Sequence, residues 1–204
     1  MSSLGLPVTV LPPGASGLGA YRLGLYSGLT TGLSANDPVF SVRWTDASNT
    51  CAIKYLRVRM AVITGFTAAQ QLAFQAKVAR SYTVADTGGT SVTLSTNNGK
   101  LRSSNASTLF GAAQVLIATT GTLTAGTRTL DAQAFLTGHG KTLAAAATVQ
   151  DASVEGVFDA TGPNADPVIL MTGEGIAITN TVAQGAGGTV VWSVDVAWSE
   201  HASY

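Results

Sequence analysis

Between residues 189 and 200 the chain alternates with a period of two. Val190, Trp192, Val194, Val196 and Trp198 hold the even positions, and Val191, Ser193, Asp195, Ala197 and Ser199 hold the odd ones. Successive strand side chains point to opposite faces, so this period sets one row against a core and the other towards solvent. A second run carrying Ile176, Ile178 and Val182 has the same period. Between the two lies Gln184-Gly185-Ala186-Gly187-Gly188, which supplies the positive-φ freedom of a tight connection. Residues 174–200 therefore read as a β-hairpin with Trp192 and Trp198 as its heaviest anchors.

Earlier segments carry shorter versions of the pattern. Tyr21, Leu23 and Leu25 oppose Arg22, Gly24 and Tyr26, and Phe40, Val42 and Trp44 share a face behind Pro38, which suits a first strand position. In residues 51–64 the even positions Leu56, Val58, Met60 and Val62 are apolar, yet Lys54 stands on the same parity, while Arg57 and Arg59 are odd. Residues 67–86 contain good helix formers, but Leu72, Phe74, Ala76 and Val78 outlast the helical match, which favours a strand. Short strands are expected at 90–96, 113–119, 154–158 and 167–171, and the alanine run 144–147 suits a helical turn or a strand. Gly138-His139-Gly140-Lys141 reads as an exposed loop. Nine or ten short strands with turns between them indicate an all-β fold, an antiparallel sandwich or barrel.

Residues 1–19 hold three prolines, four glycines and no charge, the composition of an extended N-terminal arm. Residues 20–204 form the single β-sandwich domain, because no composition break divides them. Charged residues are only 11% of the chain, against roughly 25% in an average soluble domain, so part of the surface is expected to be covered by a partner. The 11 basic and 11 acidic residues cancel without a basic block, which argues against nucleic acid as partner. No apolar run is long enough for a membrane helix, and the first residues lack the pattern of a secretory signal. The lone Cys51 opens an apolar run and reads as a small core residue.

Catalytic signatures are missing from the sequence. His139 and His201 are the only histidines, neither has a second ligand at metal spacing, and no nucleophile elbow, phosphate loop or dinucleotide fingerprint occurs, so no cofactor is expected. Asp159, Asn164 and Asp166 could offer oxygen to calcium, though Asp, Asn and Gly are ordinary turn residues without EF-hand spacing. A sandwich hydrolase with two carboxylates stays open, but no pair among the acidic residues stands out. Arg57 and Arg59, with Arg43 and Arg80 on neighbouring candidate strands, either form a basic patch for an acidic partner or pair across strands with carboxylates.

Several stretches carry a family resemblance. They are Gly19-Ala20-Tyr21-Arg22-Leu23, Phe40-Ser41-Val42-Arg43-Trp44-Thr45-Asp46, Ala79-Arg80-Ser81-Tyr82-Thr83 with Asp86-Thr87-Gly88-Gly89-Thr90, residues 123–133, Gly173-Glu174-Gly175-Ile176, and the closing Val194-Asp195-Val196-Ala197-Trp198-Ser199-Glu200. In this order the chain resembles a group of small virion proteins encoded by tailed bacteriophages, over most of residues 19–200. The resemblance implies a jelly-roll-like, non-enzymatic subunit made in the bacterial cytoplasm and built into the virion. The leading expectation is a capsid decoration or cement protein, a homotrimer lying across the major capsid protein. The arm is its docking element, through Leu4, Leu6, Val8, Val10 and Leu11, with Arg57 and Arg59 as further contacts. The alternative is a tail-associated or receptor-binding module that recognises glycan or protein through exposed tyrosines, Tyr26, Tyr55, Tyr82 and Tyr204.

Overall fold

A computed structural model of the chain describes residues 17–94, 99–144, 152–163 and 165–202. Within them the β-branched and aromatic runs form twelve strands and no helix. The first six are β1 (Gly17–Tyr26), β2 (Pro38–Trp44), β3 (Asn49–Thr64), β4 (Gln70–Arg80), β5 (Thr90–Ser91) and β6 (Val115–Ile117). The others are β7 (Thr129–Leu130), β8 (Leu136–Thr142), β9 (Ser153–Asp159), β10 (Val168–Leu170), β11 (Glu174–Asn180) and β12 (Thr189–Ala202). Within residues 67–86 the strand is Gln70–Arg80, and Leu72, Phe74 and Ala76 are buried in one row of it. β1 starts at Gly17, inside the segment read as arm. Leu4, Leu6, Val8, Val10 and Leu11 lie outside the described residues, as do Asn164, Tyr204 and most of the alanine run.

The strands make two antiparallel sheets packed face to face as a β-sandwich. One has the order β1-β12-β3-β10, with β9 continuing along β3 on the β10 side; the other has the order β5-β6-β2-β11-β4-β7, with β8 also on β4. Pairing is nested: β1 takes β12, β2 takes β11, β3 takes β9 and β4 takes β8. The chain is thus one long ribbon of paired strands rolled up, so that β12 also meets β3 and β11 also meets β4.

The expected terminal hairpin does not form. β11 lies in the second sheet between β2 and β4, and β12 lies in the first between β1 and β3. Each already has a ladder neighbour on both sides, so neither has an edge left for the other. Residues 181–188 instead arch from layer to layer, about 10 Å apart in a sandwich. The glycines serve that arch: Gly187 has φ 78°, and a Cβ at Gly188 would overlap the Phe66 ring.

Lys54 marks a second departure from simple alternation. β12 keeps one parity inward throughout, with Val190, Trp192, Val194, Val196 and Trp198 all buried. On β3 the buried positions change from Cys51 and Ile53 to Leu56, Val58 and Met60. The ladder shifts between Ala197 and Trp198, where Tyr55 and Ile53 are the β3 partners and Lys54 is passed over. One extra residue in one strand is a β-bulge, and it lets Lys54 stay out of the core.

Residues 138–141 belong to a strand rather than to an exposed loop. β8 pairs along β4, with His139 opposite Ala73 and exposed, while Gly138 is buried. β8 of one sheet and β9 of the other meet here, and glycine permits the approach. A Cβ at Gly138 would overlap Phe74, one at Gly140 would sit 2.8 Å from Val154 Cγ2, and one at Gly156 would sit 3.0 Å from Leu136 Cδ1. Because His and Lys alternate with glycine, the segment shows none of the apolar period that marks a strand.

Aromatic rings join the layers. Tyr21 stacks on Trp198 (5.3 Å), Phe110 meets Trp198 edge-on (5.5 Å), and the same Phe110 meets Trp44 of the second sheet (5.0 Å). Further along, Phe74 of β4 meets Trp192 of β12 at 6.0 Å, and the Trp192 indole N–H donates to Thr30 Oγ1. Truncating Trp192 to Ala removes a fully buried ring and leaves Thr30 without that donor, which costs about 3–5 kcal/mol. Gly138→Val, by overpacking against Phe74, costs about 1–3 kcal/mol. Urea denaturation of both variants measures these losses, and parent-like stability of Gly138→Val would show that the β8–β9 junction is not close-packed.

Candidate functional site

The outer face of the first sheet carries the arginines singled out by the sequence. Its side chains form rows across the strands. Tyr26 stands opposite Ser193, Ser193 opposite Arg59, and Arg59 opposite Glu155. In the next row Gly24 stands opposite Asp195, Asp195 opposite Arg57, and Arg57 opposite Val157. Beyond it Arg22 faces Ala197 and Ala197 faces Tyr55, with the Arg22 guanidinium 5.1 Å from the Tyr55 ring centre.

β12 presents the short side chains Ser193, Asp195 and Ala197 between Tyr26 of β1 and the arginines of β3, so the sheet is hollowed along β12. A cavity of about 410 Å³ is lined by Tyr26, Arg57, Arg59, Ile63, Ser193 and Asp195, among others. Arg57 donates to Glu155 Oε2 at 2.6 Å, although Glu155 stands in the ladder opposite Arg59. That diagonal pair leaves Arg59 with a long contact, 3.4 Å, to Ser153 Oγ. Tyr26, one of the lining residues, is 76% exposed.

A second hollow of about 400 Å³ lies on the same face past the bulge, lined by Ala52, Lys54, Pro163, Pro167, Ile169 and His201, among others. His201 Nε2 is 2.7 Å from Ser199 Oγ. Burial, and then the nearby Lys54 ammonium, push its imidazole below the ordinary histidine range. At pH 7 it is therefore neutral.

The four-arginine patch does not assemble. Arg43 and Arg80 belong to the other sheet, where Arg43 donates to the Tyr82 and Thr83 carbonyls and Arg80 is held by Asp131 and Glu174. Cross-strand pairing accounts for Arg57 and Arg80, the reading the sequence also offered. Tyr82, expected as an exposed recognition residue, is fully buried, whereas Tyr55 is half-buried. Cys51 is buried, as its apolar setting implies. Asp159 turns its carboxylate on its own loop, accepting from Thr161 N–H and Oγ1 at 2.9 and 2.6 Å. Among the described residues no three His, Cys, Asp or Glu side chains converge as metal ligands do.

Two buried carboxylates escaped the sequence reading, because nothing in the local pattern marks them. Asp86 is paired with the buried Arg128, which also donates to Tyr82 Oη at 2.9 Å, and Asp86 Oδ1 accepts from Gly126 N–H at 2.8 Å. Burial pushes this carboxyl up, but the Arg128 and Gly126 donors outweigh it and hold Asp86 below the ordinary range. Glu200 ends the inward row of β12 and accepts from Thr108 Oγ1, from Leu109 N–H at 3.1 Å and from the Trp198 indole N–H at 3.2 Å. Here burial wins and Glu200 is raised. Tyr21 beside it is pushed up to about 12, first by burial and then by the Glu200 charge. Both groups fasten loops: Asp86 ties residues 82–86 to 126–128, and Glu200 ties residues 108–109 to the end of the first sheet.

No family model matches the chain, and a search of curated proteins finds no match.

The two carboxylates act on stability with opposite signs. Asp86 titrates lower in the folded state than in the unfolded chain, so it contributes stability that is present above the unfolded value and lost as pH falls through the folded one. Glu200 titrates higher when folded, so its contribution is complete below the unfolded value and lost as pH rises through the folded one. Asp86→Asn leaves Arg128 buried and uncompensated, costs about 3–5 kcal/mol at neutral pH and flattens the acid limb. Glu200→Gln is at least as stable as the parent at neutral pH and loses stability more steeply towards acid. Urea midpoints between about pH 3 and pH 8 read both slopes.

Proposed function

We propose that the protein is a non-enzymatic structural subunit of a bacteriophage particle, a decoration or cement protein that acts by burying surface across its neighbours. One observation carries this reading. On a chain with 11% charged residues, large apolar side chains stand exposed on many sides, including Leu29, Ile63, Leu101, Leu143, Val157 and Met171, each above 45%. Scattered apolar residues are ordinary on a well-charged surface, but here few ionised groups dilute them, so contact with other chains on several sides stabilises the subunit. The nested strand order supports the jelly-roll assignment within the sandwich class. It is the order of two interlocked Greek keys, β1-β12-β3-β9 against β2-β11-β4-β8.

In this reading the subunit assembles as a homotrimer on the shell of the major capsid protein, and its localisation is the virion. Mechanical stabilisation follows from mass action, since a partner bound only to the intact shell disfavours rupture. The described residues begin with β1 at Gly17, on the margin of the first sheet, and residues 1–16 are the first candidate for the docking element. The tail-associated, receptor-binding alternative draws on a separate observation, the exposed Tyr26 over the hollow of the first sheet.

Removing residues 1–16 leaves β1 and its ladder intact, so the shortened chain keeps its melting temperature within a few degrees. Its co-sedimentation with particles falls to background, and the particles lose their added heat resistance. Unchanged co-sedimentation would reject the arm as docking element, and a monomer at all concentrations in analytical ultracentrifugation would reject the trimer. Copy number in purified particles separates decoration, with hundreds of copies, from a tail module with a handful.

A further inference from the structure

We propose that the hollow on the outer face of the first sheet is a binding site for an uncharged oligosaccharide, with Tyr26 as the stacking platform, Asp195 as acceptor and Arg59 as donor. The inference goes beyond the assembly reading and does not rest on it, since a subunit fixed in a particle can still present this face.

The geometry supplies the groups a sugar needs. Tyr26, Ser193 and Arg59 stand in one row on three adjacent strands, a span of about 10 Å at ordinary strand spacing. Asp195 stands next to Ser193 on the same side of β12, about 7 Å along the strand. Gly24 opposite Asp195 leaves the carboxylate open, for a Cβ there would sit 2.9 Å from Asp195 Oδ1. Among the described residues neither Arg59 nor Asp195 belongs to an ion pair: Glu155 is taken by Arg57, Arg59 makes its long contact to Ser153 Oγ, and Asp195 acts on Arg57 opposite it through its charge. An aromatic face, a guanidinium and a carboxylate, the last two outside any ion pair, therefore line one hollow with Ser193 and Ala61. A sugar ring offers CH groups to an aromatic face and hydroxyls that both donate and accept.

Other ligand classes fit less well. An aliphatic ligand would strip water from Asp195, Arg57 and Arg59 without replacing their hydrogen bonds. A nucleic acid strand would meet the Asp195 and Glu155 carboxylates, which offset Arg57 and Arg59 at the hollow. A peptide added as a strand needs a sheet edge, and this is a face. The Asp195 charge likewise disfavours an acidic sugar.

The test is a titration of the ¹⁵N-labelled full chain with maltotriose, cellotriose and triacetylchitotriose, with trigalacturonate as the charged counterpart, followed by amide chemical shifts. The expected result is saturable shifts confined to residues 24–26, 57–63 and 191–195 with at least one uncharged trisaccharide. Tyr26→Ala and Asp195→Asn, both at surface positions, each weaken that binding about tenfold or more while leaving the remaining spectrum unchanged. Tighter binding of trigalacturonate would overturn the uncharged assignment. The site itself is overturned if no trisaccharide produces confined shifts up to about 50 mM, or if both variants bind like the parent. Loss of particle binding with retained sugar shifts would remove only the assembly reading.

Discussion

The structure depends on β12 having a ladder partner on each side along most of its length. Its even residues set the inner layer of the first sheet, and β1 and β3 take their register from it. Where the two patterns conflict, β3 yields with a bulge at Lys54 and β12 does not. Trp192 and Trp198 explain the difference. Each fills a fixed place in an aromatic contact that crosses to the second sheet, directly to Phe74 or through Phe110 to Trp44. Moving β12 by one residue would turn both rings to solvent, a larger loss than one extra residue in β3.

That constraint also shapes the outer face. With the inward row fixed, the outward row of β12 is Val191, Ser193, Asp195 and Ala197, all small or short. Larger side chains on β1 and β3 rise beside them, so the hollow is a by-product of which strand lies in the middle. Arg57, which the sequence marked, is neutralised across the ladder by Glu155, and among the described residues Arg59 and Asp195 stand outside any ion pair.

The ends of the sandwich are held differently. There the chain folds loops over the core, and two buried carboxylates supply acceptors for backbone and side-chain donors that the loops bring inside. Asp86 does so with a buried cation beside it and Glu200 does so without one, which is why their titration moves in opposite directions. Loops fixed through buried hydrogen bonds as well as through apolar packing, such as that of Phe110, are compatible with a sequence this rich in Gly, Ser and Thr.

The all-β class, the sandwich pattern, the inward rows of β2, β4 and β12 and the burial of Cys51 were legible in the sequence, because side-chain direction in a strand is a local property with a period of two. Arg57 and Arg59 were placed on an outward row for the same reason. Pairing was not legible. Residues 174–200 contain two sound strands and a turn-rich link, yet whether adjacent strands pair or part depends on which distant strands have already taken their edges. Gly138 and Gly140 read as loop residues in the sequence, yet β9 lies against them, and Tyr82 reads as exposed, yet Arg128 covers it. The local code settled which way each side chain points. Only the tertiary structure decided which strands are neighbours, because that choice is made by contacts between residues far apart in the chain.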